Sequence, residues 1–454
     1  MDRQENKMGV MPVKKLIISM SLPMMISMLV QALYNVVDTY FVAQVSEEAM
    51  TAVTLAFPLQ NLMIAVGSGT GVGINALLSR SLGEKRFDRS DAAANTGLLL
   101  TFLSYIAFLL IGIFGARAFV LTQVADPVRD RVVADYATTY LRIVCCLSIG
   151  IFFQLTFERL LQSTGKTIYS MISQATGAII NIIFDPIMIF GLFGFPRLGV
   201  AGAAYATVLG QCTASVIGMV LNLRKNEEIT FSVKGILSPK ADIVKEIYFV
   251  GVPTILMMSI GSLMTYMMNR ILRVFSNTAI AVFGVYFRLQ SFFFMPVFGL
   301  NNGLIPVLAY NYGARNRERI REALRFALLL AVGIMGVGTV IFESIPAPLL
   351  KIFKASDEML RIGVPALRII CLSFMMAGAS IALGSIFQAF SKSYYSLIIS
   401  VARQIVVLIP AAWLLARTGE VTMVWWAFPI AELVSFALSM YFFRQLYNRT
   451  VKTL

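Results

Sequence analysis

The sequence predicts an all-α membrane protein with about twelve transmembrane helices. Of the 454 residues, 58% are hydrophobic and 14% are charged, whereas about 25% charged residues is usual for a soluble globular chain. The hydrophobic residues form continuous runs of about 20, the length at which a helix spans a bilayer. The short alternating strands of a membrane β-barrel do not fit this pattern.

The hydrophobic runs and the charged breaks between them place the spans. Their predicted extents are 14–45, 51–79, 91–116, 132–160, 167–193, 199–223, 241–274, 280–312, 320–345, 360–390, 394–416 and 421–446. Basic residues concentrate in the even-numbered connections and near both ends of the chain, which predicts that both termini are cytoplasmic. The formal net charge of +14 is therefore attributed to membrane topology and not to a nucleic-acid partner.

The chain also contains an internal repeat. A shift of 230 residues pairs Lys15 with Lys245, Pro23 with Pro253, Ser46 with Ser276, Gln60 with Gln290, Gly69 with Gly299 and Gly73 with Gly303. A shift of 226 pairs Cys145 with Cys371 and Lys166 with Lys392. Two six-helix halves are predicted, 1–228 and 229–454, related by a pseudo-twofold axis along the membrane normal. Parallel repeats of this kind are typical of transporters with a central cavity.

One charged residue, Asp38, interrupts the first hydrophobic run between Lys15 and Glu47. A carboxylate in the hydrocarbon layer costs about 3 kcal/mol or more, and such residues usually mark an ion or substrate path. Tyr34 and Asn35 precede Asp38 by four and three residues, so they are expected on the same helical face. The alternative is a structural pairing of Asp38 with a neighbouring helix.

A second intramembrane acid, Asp185, lies in the fifth predicted span. Asn181 comes four residues earlier and is expected to share its helical face. The next residue, Pro186, has no N–H group to donate, so the carbonyl of Ile182 is freed beside the acid.

The depths of the polar residues allow one shared site. Asp38 lies about 35 Å and Asp185 about 28 Å along their helices, and Thr207 lies about 12 Å into the sixth. Two carboxylates, an amide oxygen and a hydroxyl are hard oxygen ligands that suit a small cation such as Na⁺. Alternatively, the two acids share a proton. The alternative to a functional site is a structural hydrogen-bond cluster that ties the first, fifth and sixth helices together.

The repeat helps to separate function from fold. The counterpart of Asp38 in the second half is Met268, and that of Asp185 is Ala411. Features that the fold requires should recur in both halves, so one-sided acids point to function. The chain has no histidine, and its four cysteines show no metal-binding spacing, so zinc-type catalysis is disfavoured. The protein is not expected to be an enzyme, and no cofactor is expected besides Na⁺ or H⁺ as the coupling ion.

Other features are less specific. Pro23 is expected to kink the first span. Clusters of methionine could line an adaptable substrate cavity, for which Met264, Met268, Gln31 and Arg270 are the candidates, although plain helix packing explains the methionines equally well.

Four motifs resemble the multidrug and toxic compound extrusion (MATE) family, and the resemblance covers essentially the whole chain. They are Lys14-Lys15 with Ser21-Leu22-Pro23, Tyr34-Asn35-Val36-Val37-Asp38, Asn181-Ile182-Ile183-Phe184-Asp185-Pro186 and Gly199-Val200-Ala201-Gly202-Ala203-Ala204. Within the family, the sequence resembles the bacterial branch that includes the MepA-type pumps.

The resemblance implies an antiporter in the plasma membrane of a prokaryote. Such a protein exports varied amphipathic, often cationic compounds, driven by inward flow of Na⁺ or H⁺. The family's cation site in the N-terminal lobe matches Asp38, Asn181, Asp185 and Thr207, whereas members with acids in the C-terminal lobe are not matched.

Two other functions remain open at this point. One is a lipid-linked saccharide flippase of the same broad superfamily, which a cavity lined with basic side chains would favour. The other is a membrane enzyme or channel, for which no nucleophile, base or metal set is evident. The expected partners are small molecules and the lipid bilayer, and the protein is expected to act as a monomer.

Overall fold

The computed structural model describes residues 5–124 and 126–454, and within these ranges the chain is almost entirely helical, without a β-strand. Among the described residues, eleven helices are long and apolar enough to cross a membrane, and a bent pair of helices, taken as one span, gives twelve. In chain order, α1 to α12 are Val13–Ala43, Glu47–Gly83, Phe87–Gln123, the pair Arg131–Cys146 and Ile149–Ser163, Thr167–Phe190, Val200–Lys225, Ala241–Arg273, Asn277–Gly313, Arg317–Ser344, Asp357–Ala389, Ser393–Ala416 and Val421–Val451. The predicted fold class is confirmed.

Two spans are interrupted at matching places in the repeat. The sequence predicts a single helix over 132–160, but α4 bends by 47° between its two pieces. The hydroxyl of Ser148 donates to the carbonyl of Cys145 at 2.7 Å and removes that acceptor from the regular helical pattern. At the position related by the shift of 226, α10 contains the 3₁₀ turn Cys371–Ser373.

The beginnings of α2 and α8 also repeat. Ser46 and Ser276 are the N-cap residues, and their hydroxyls accept from the backbone N–H groups of Ala49 and Ala279 at 3.0 and 3.1 Å. Each hydroxyl thus satisfies a donor that the first helical turn leaves free. The two pairs are related by the shift of 230 found in the sequence.

By packing, the described chain forms two compact units. The first runs over Ile26–Ile255, and the second consists of Glu5–Met25 and Leu256–Leu454. Helices α1 and α7 therefore each begin in one unit and end in the other. The division of the sequence into halves 1–228 and 229–454 stays a prediction about the repeat.

Within the first unit, the beginning of α7 packs against glycines of α2. A Cβ atom at Gly69 would lie 2.5 Å from Cγ1 of Ile255 and 2.8 Å from the carbonyl oxygen of Gly251, and one at Gly73 would clash with the carbonyl oxygen of Ile247. Only glycine permits this backbone approach, a common device between membrane helices.

Within the second unit, the beginning of α1 packs in the same way against α8. A Cβ atom at Gly299 would lie 2.6 Å from Cα of Met25, and one at Gly303 would lie 2.7 Å from Cα of Ser21. The repeat thus uses one glycine-based helix contact twice. The contact surface of α2 near Gly69 and Gly73, and that of α8 near Gly299 and Gly303, are called the glycine seats below.

Candidate cation site

The two intramembrane acids meet in the first unit. Asp38 of α1 and Asp185 of α5 lie within hydrogen-bonding reach of each other. Asp185 is fully buried and Asp38 is half-buried. The two acids are therefore neighbours in the structure, and their role as a shared cation or proton site stays a prediction.

The helices α5 and α6 approach closely enough to complete the site. A Cβ atom at Gly177 would lie 2.7 Å from the carbonyl oxygen of Gly210, so glycine permits the contact. Next to this contact, the side-chain amide of Asn181 donates to the hydroxyl of Thr207, with 3.3 Å between Nδ2 and Oγ1. Both side chains are buried, and the structure places them beside Asp185.

Four acceptor oxygens at this place lack a hydrogen-bond donor among the described residues. They are Oδ1 of Asp38, both carboxylate oxygens of Asp185 and Oδ1 of Asn181, all buried. Ionised carboxylates only accept hydrogen bonds, so two facing acids cannot satisfy each other. Buried acceptors without donors are costly, and a small cation or a proton would satisfy them. The oxygen set suits Na⁺ in chemistry.

Two tyrosines stand beside the acids. The hydroxyl of Tyr34 lies close to Thr207 and in electrostatic range of Asp38 and Asp185. From α4, Tyr140 also lies in range of both acids, and its hydroxyl is 3.5 Å from Oε1 of Gln60.

The sequence-based reasoning missed Tyr140 and Gln60. A signal was nevertheless available, because the counterpart of Tyr140 under the shift of 226 is Ala366. The tyrosine is one-sided, as Asp38 is, whereas Gln60 recurs as Gln290 and carries no such signal.

Asn35 is not brought to the buried site. Its side chain is exposed, and its carbonyl accepts from the hydroxyl of Thr39 at 2.8 Å. On a helix, a residue three positions away is rotated about 60° from Asp38, and Tyr34 about 40° in the other direction. The supporting role assigned to Asn35 stays a prediction.

The two prolines of the predicted site lie within continuous helices. Pro186 follows Asp185 inside α5, so the carbonyl of Ile182 lacks its usual helical donor next to the site. Pro23 is buried inside α1 and belongs to the part of that helix in the second unit.

The proposed cavity residues are placed as follows. Met264 and Met268 are buried in the second unit. Arg270 is exposed, with its guanidinium carbon 6.0 Å from the centre of the Tyr266 ring. In the first unit, Oε1 of Gln31 accepts from Gln174 at 3.2 Å. Their role in lining a cavity stays a prediction.

In the part of the chain that the structure describes, up to twelve apolar spans form two repeats, and a buried acid pair lies in the first of them. This is the architecture of a multi-pass membrane transporter. A comparison with protein families agrees. The model of the MatE family matches residues 23–187 and 253–414. The chain belongs to the MatE family, as its resemblance to the MATE family implied.

Curated relatives refine this placement. The chain is 27% identical to the multidrug export protein MepA of Staphylococcus haemolyticus strain JCSC1435, over 96% of this chain and 94% of the relative. It is 25% identical to MepA of Staphylococcus aureus strain MRSA252, over 93% and 91% of the two chains. The resemblance to the MepA-type branch is confirmed.

Solved structures confirm the fold. A structure described as the outward-facing conformation of a multidrug resistance MATE family transporter matches with a TM-score of 0.91 at 24% identity, covering 100% of this chain and 99% of that one. A MATE in complex with MaL6 matches with a TM-score of 0.92 at 24% identity, covering both chains fully.

Proposed function

We propose that this protein exports amphipathic, often cationic compounds from the cell by antiport with inward flow of Na⁺ or H⁺. Support comes from relatives named multidrug export protein that match nearly the full length of the chain. Those names favour export of drugs over flipping of lipid-linked saccharides.

The observation that carries the proposal is the acid pair. Asp38 and Asp185 present buried oxygens without donors, and the second half of the repeat has Met268 and Ala411 in their places. A site that the fold does not require, and that needs a positive charge to be satisfied, is suited to the coupling ion.

Coupled transport follows if the acid pair binds the coupling ion more tightly in one conformational state of the transporter than in the other. The coupling ion neutralises Asp38 and Asp185 and favours one arrangement of α1, while the exported compound favours another. Each ligand must bind the two states with different free energies, and the effects are reciprocal. Asn181 and Thr207 supply the ion's other oxygen ligands, and Tyr34 supports the site from α1.

The proposed setting is the plasma membrane of a prokaryote, with the protein as a monomer. The basic residues in the even-numbered connections support a cytoplasmic location for both termini under the positive-inside rule. The ends at which α1 and α7 begin are then on the cytoplasmic side.

Transport of ethidium in proteoliposomes tests the proposal. A Na⁺ gradient at constant pH and a pH gradient without Na⁺ are imposed separately, which also identifies the coupling ion. Asp38→Asn and Asp185→Asn are each expected to abolish gradient-driven transport. Glu48→Gln, which changes an exposed acid of the same unit, is the matched control. Undiminished transport by Asp38→Asn at equal protein content would refute the assignment.

A further inference from the structure

Two arginines at equivalent positions of the repeat hold the beginnings of α1 and α7. Arg89 and Arg319 are related by the shift of 230. In the first unit, Arg89 of α3 forms an ion pair with Glu246, in the second turn of α7. In the second unit, Arg319 of α9 binds the segment that leads into α1.

The contact of Arg319 is made entirely through the backbone of that segment. Its Nη2 donates to the carbonyl oxygens of Met8 and Met11 at 3.0 and 2.7 Å. Its Nε donates to Oδ1 of Asn311 at 3.1 Å, and Nδ2 of Asn311 donates to the carbonyl of Met8 at 3.0 Å. Charged donors form the stronger class of protein hydrogen bonds, so this segment is firmly held.

Each arginine acts next to a glycine seat. The beginning of α7 lies on Gly69 and Gly73 of α2, and the beginning of α1 lies on Gly299 and Gly303 of α8. Such a seat brings the backbones of two helices into close packing. The arginine adds a charge-assisted bond near the beginning of the seated helix.

We propose that Arg89 and Arg319 are paired positioning residues of the transport cycle, which keep the beginnings of α7 and α1 in their glycine seats in one state of the cycle. In the alternate state both helix beginnings are released from these seats. The inference rests on the proposed function for its place in a cycle, because only a transporter needs an alternately closed end.

Release of the beginning of α1 and release of the beginning of α7 are linked because each helix runs through both units. Helix α1 begins in the second unit and continues into the first, and α7 begins in the first and continues into the second. Because each helix is continuous, unseating one beginning displaces a helix that the other unit also holds. Loss of one arginine is therefore expected to loosen both seats.

The chain supplies a reporter for each seat. Ser21 of α1 and Ile247 of α7 are buried at the seats, so Ser21→Cys and Ile247→Cys report unseating by their reaction with a water-soluble maleimide. The unaltered protein, with its four native cysteines, gives the background rate. Arg321→Ala, an exposed arginine on the same helix as Arg319, is the matched control.

The deciding measurement combines one arginine variant with the opposite reporter. Arg319→Ala is expected to raise the labelling rate of Ser21→Cys about tenfold and that of Ile247→Cys at least threefold, whereas Arg321→Ala changes neither. Arg319→Lys, which keeps a charged donor, is expected to restore slow labelling in part. Faster labelling of Ser21→Cys alone would show a local structural tie and would overturn the proposal.

Labelling does not depend on drug transport, so failure of the proposed function would be seen separately, as absence of gradient-driven ethidium transport by the unaltered protein.

Discussion

The side-chain amide of Asn181 donates its hydrogen bond to the hydroxyl of Thr207. In this arrangement Oδ1 of Asn181 is buried and has no donor among the described residues, so it is the atom left for a ligand. Thr207 is therefore a positioning residue for Asn181 as well as a candidate ligand. The buried acids depend on this orientation, since a reversed amide would direct its N–H group into the oxygen set.

Replacement of Thr207 tests this orientation. Thr207→Val keeps the shape of the side chain but removes the acceptor, and Thr207→Ser keeps the hydroxyl. We expect Thr207→Val to weaken the apparent affinity for the coupling ion about fivefold, the equivalent of about 1 kcal/mol for one hydrogen bond. Thr207→Ser should stay within twofold of the unaltered protein. The measurement is ethidium transport as a function of coupling-ion concentration, and equal affinities for the two variants would contradict the prediction.

The acid pair is expected to act as one unit. If Asp38 and Asp185 bind a single ion together, removing either acid already destroys the site. The double variant of Asp38→Asn and Asp185→Asn should then lose no more coupling-ion affinity than either single variant. Direct binding measurements on the purified protein check this, and additive losses would instead indicate two separate sites.

Tyr140 gives a test of a residue that only the structure revealed. Tyr140→Phe removes the hydroxyl that lies near Gln60 and faces the acids. We expect coupling-ion affinity to fall about two- to fivefold, with unchanged thermal stability, because the ring stays packed. Tyr136→Phe, at an exposed position on the same helix, should change neither quantity.

The packing of α5 on α6 should limit stability. At Gly177, a Cβ atom would meet the backbone of α6, so Gly177→Ala is expected to cost about 1–3 kcal/mol through overpacking. At Gly333 of α9, no atom lies within 4 Å of an added Cβ, and Gly333→Ala should be neutral or slightly stabilising. The measurement is the melting temperature of each variant in detergent. Equal melting temperatures for Gly177→Ala and Gly333→Ala would contradict the role of Gly177 in the packing of α5 on α6.

Much of the fold follows from the sequence for identifiable reasons. Runs of apolar residues between charged breaks determine helix number, because a membrane helix must satisfy its own backbone. The bend of α4 was not predictable, since the break between Arg131–Cys146 and Ile149–Ser163 lies inside one continuous apolar run. The exchange of α1 and α7 between the two units was also beyond sequence reasoning, because it is a matter of tertiary contact.

The candidate site was predictable to a similar degree. Asp38 and Asp185 stand out because charge in hydrocarbon is rare and costly, and their depths then bring them together. Tyr140 does not stand out in this way, since a tyrosine fits an apolar run without a large penalty. Asn35 was grouped with Asp38 by its spacing, but a difference of one residue places it on the exposed side of α1.

The glycine seats have a consequence for the order of synthesis. Gly73 is synthesised about 170 residues before Ile247. At about 5–20 residues per second, the α2 seat is therefore present for roughly ten to thirty seconds before α7 is available to pack on it. The seat on α8 has no such delay, because Ser21 and Met25 are already in the membrane when Gly299 emerges. The two halves of the repeat therefore differ during biogenesis. The first half is for some time without α7, and its exposed glycine seat can pack against a wrong helix.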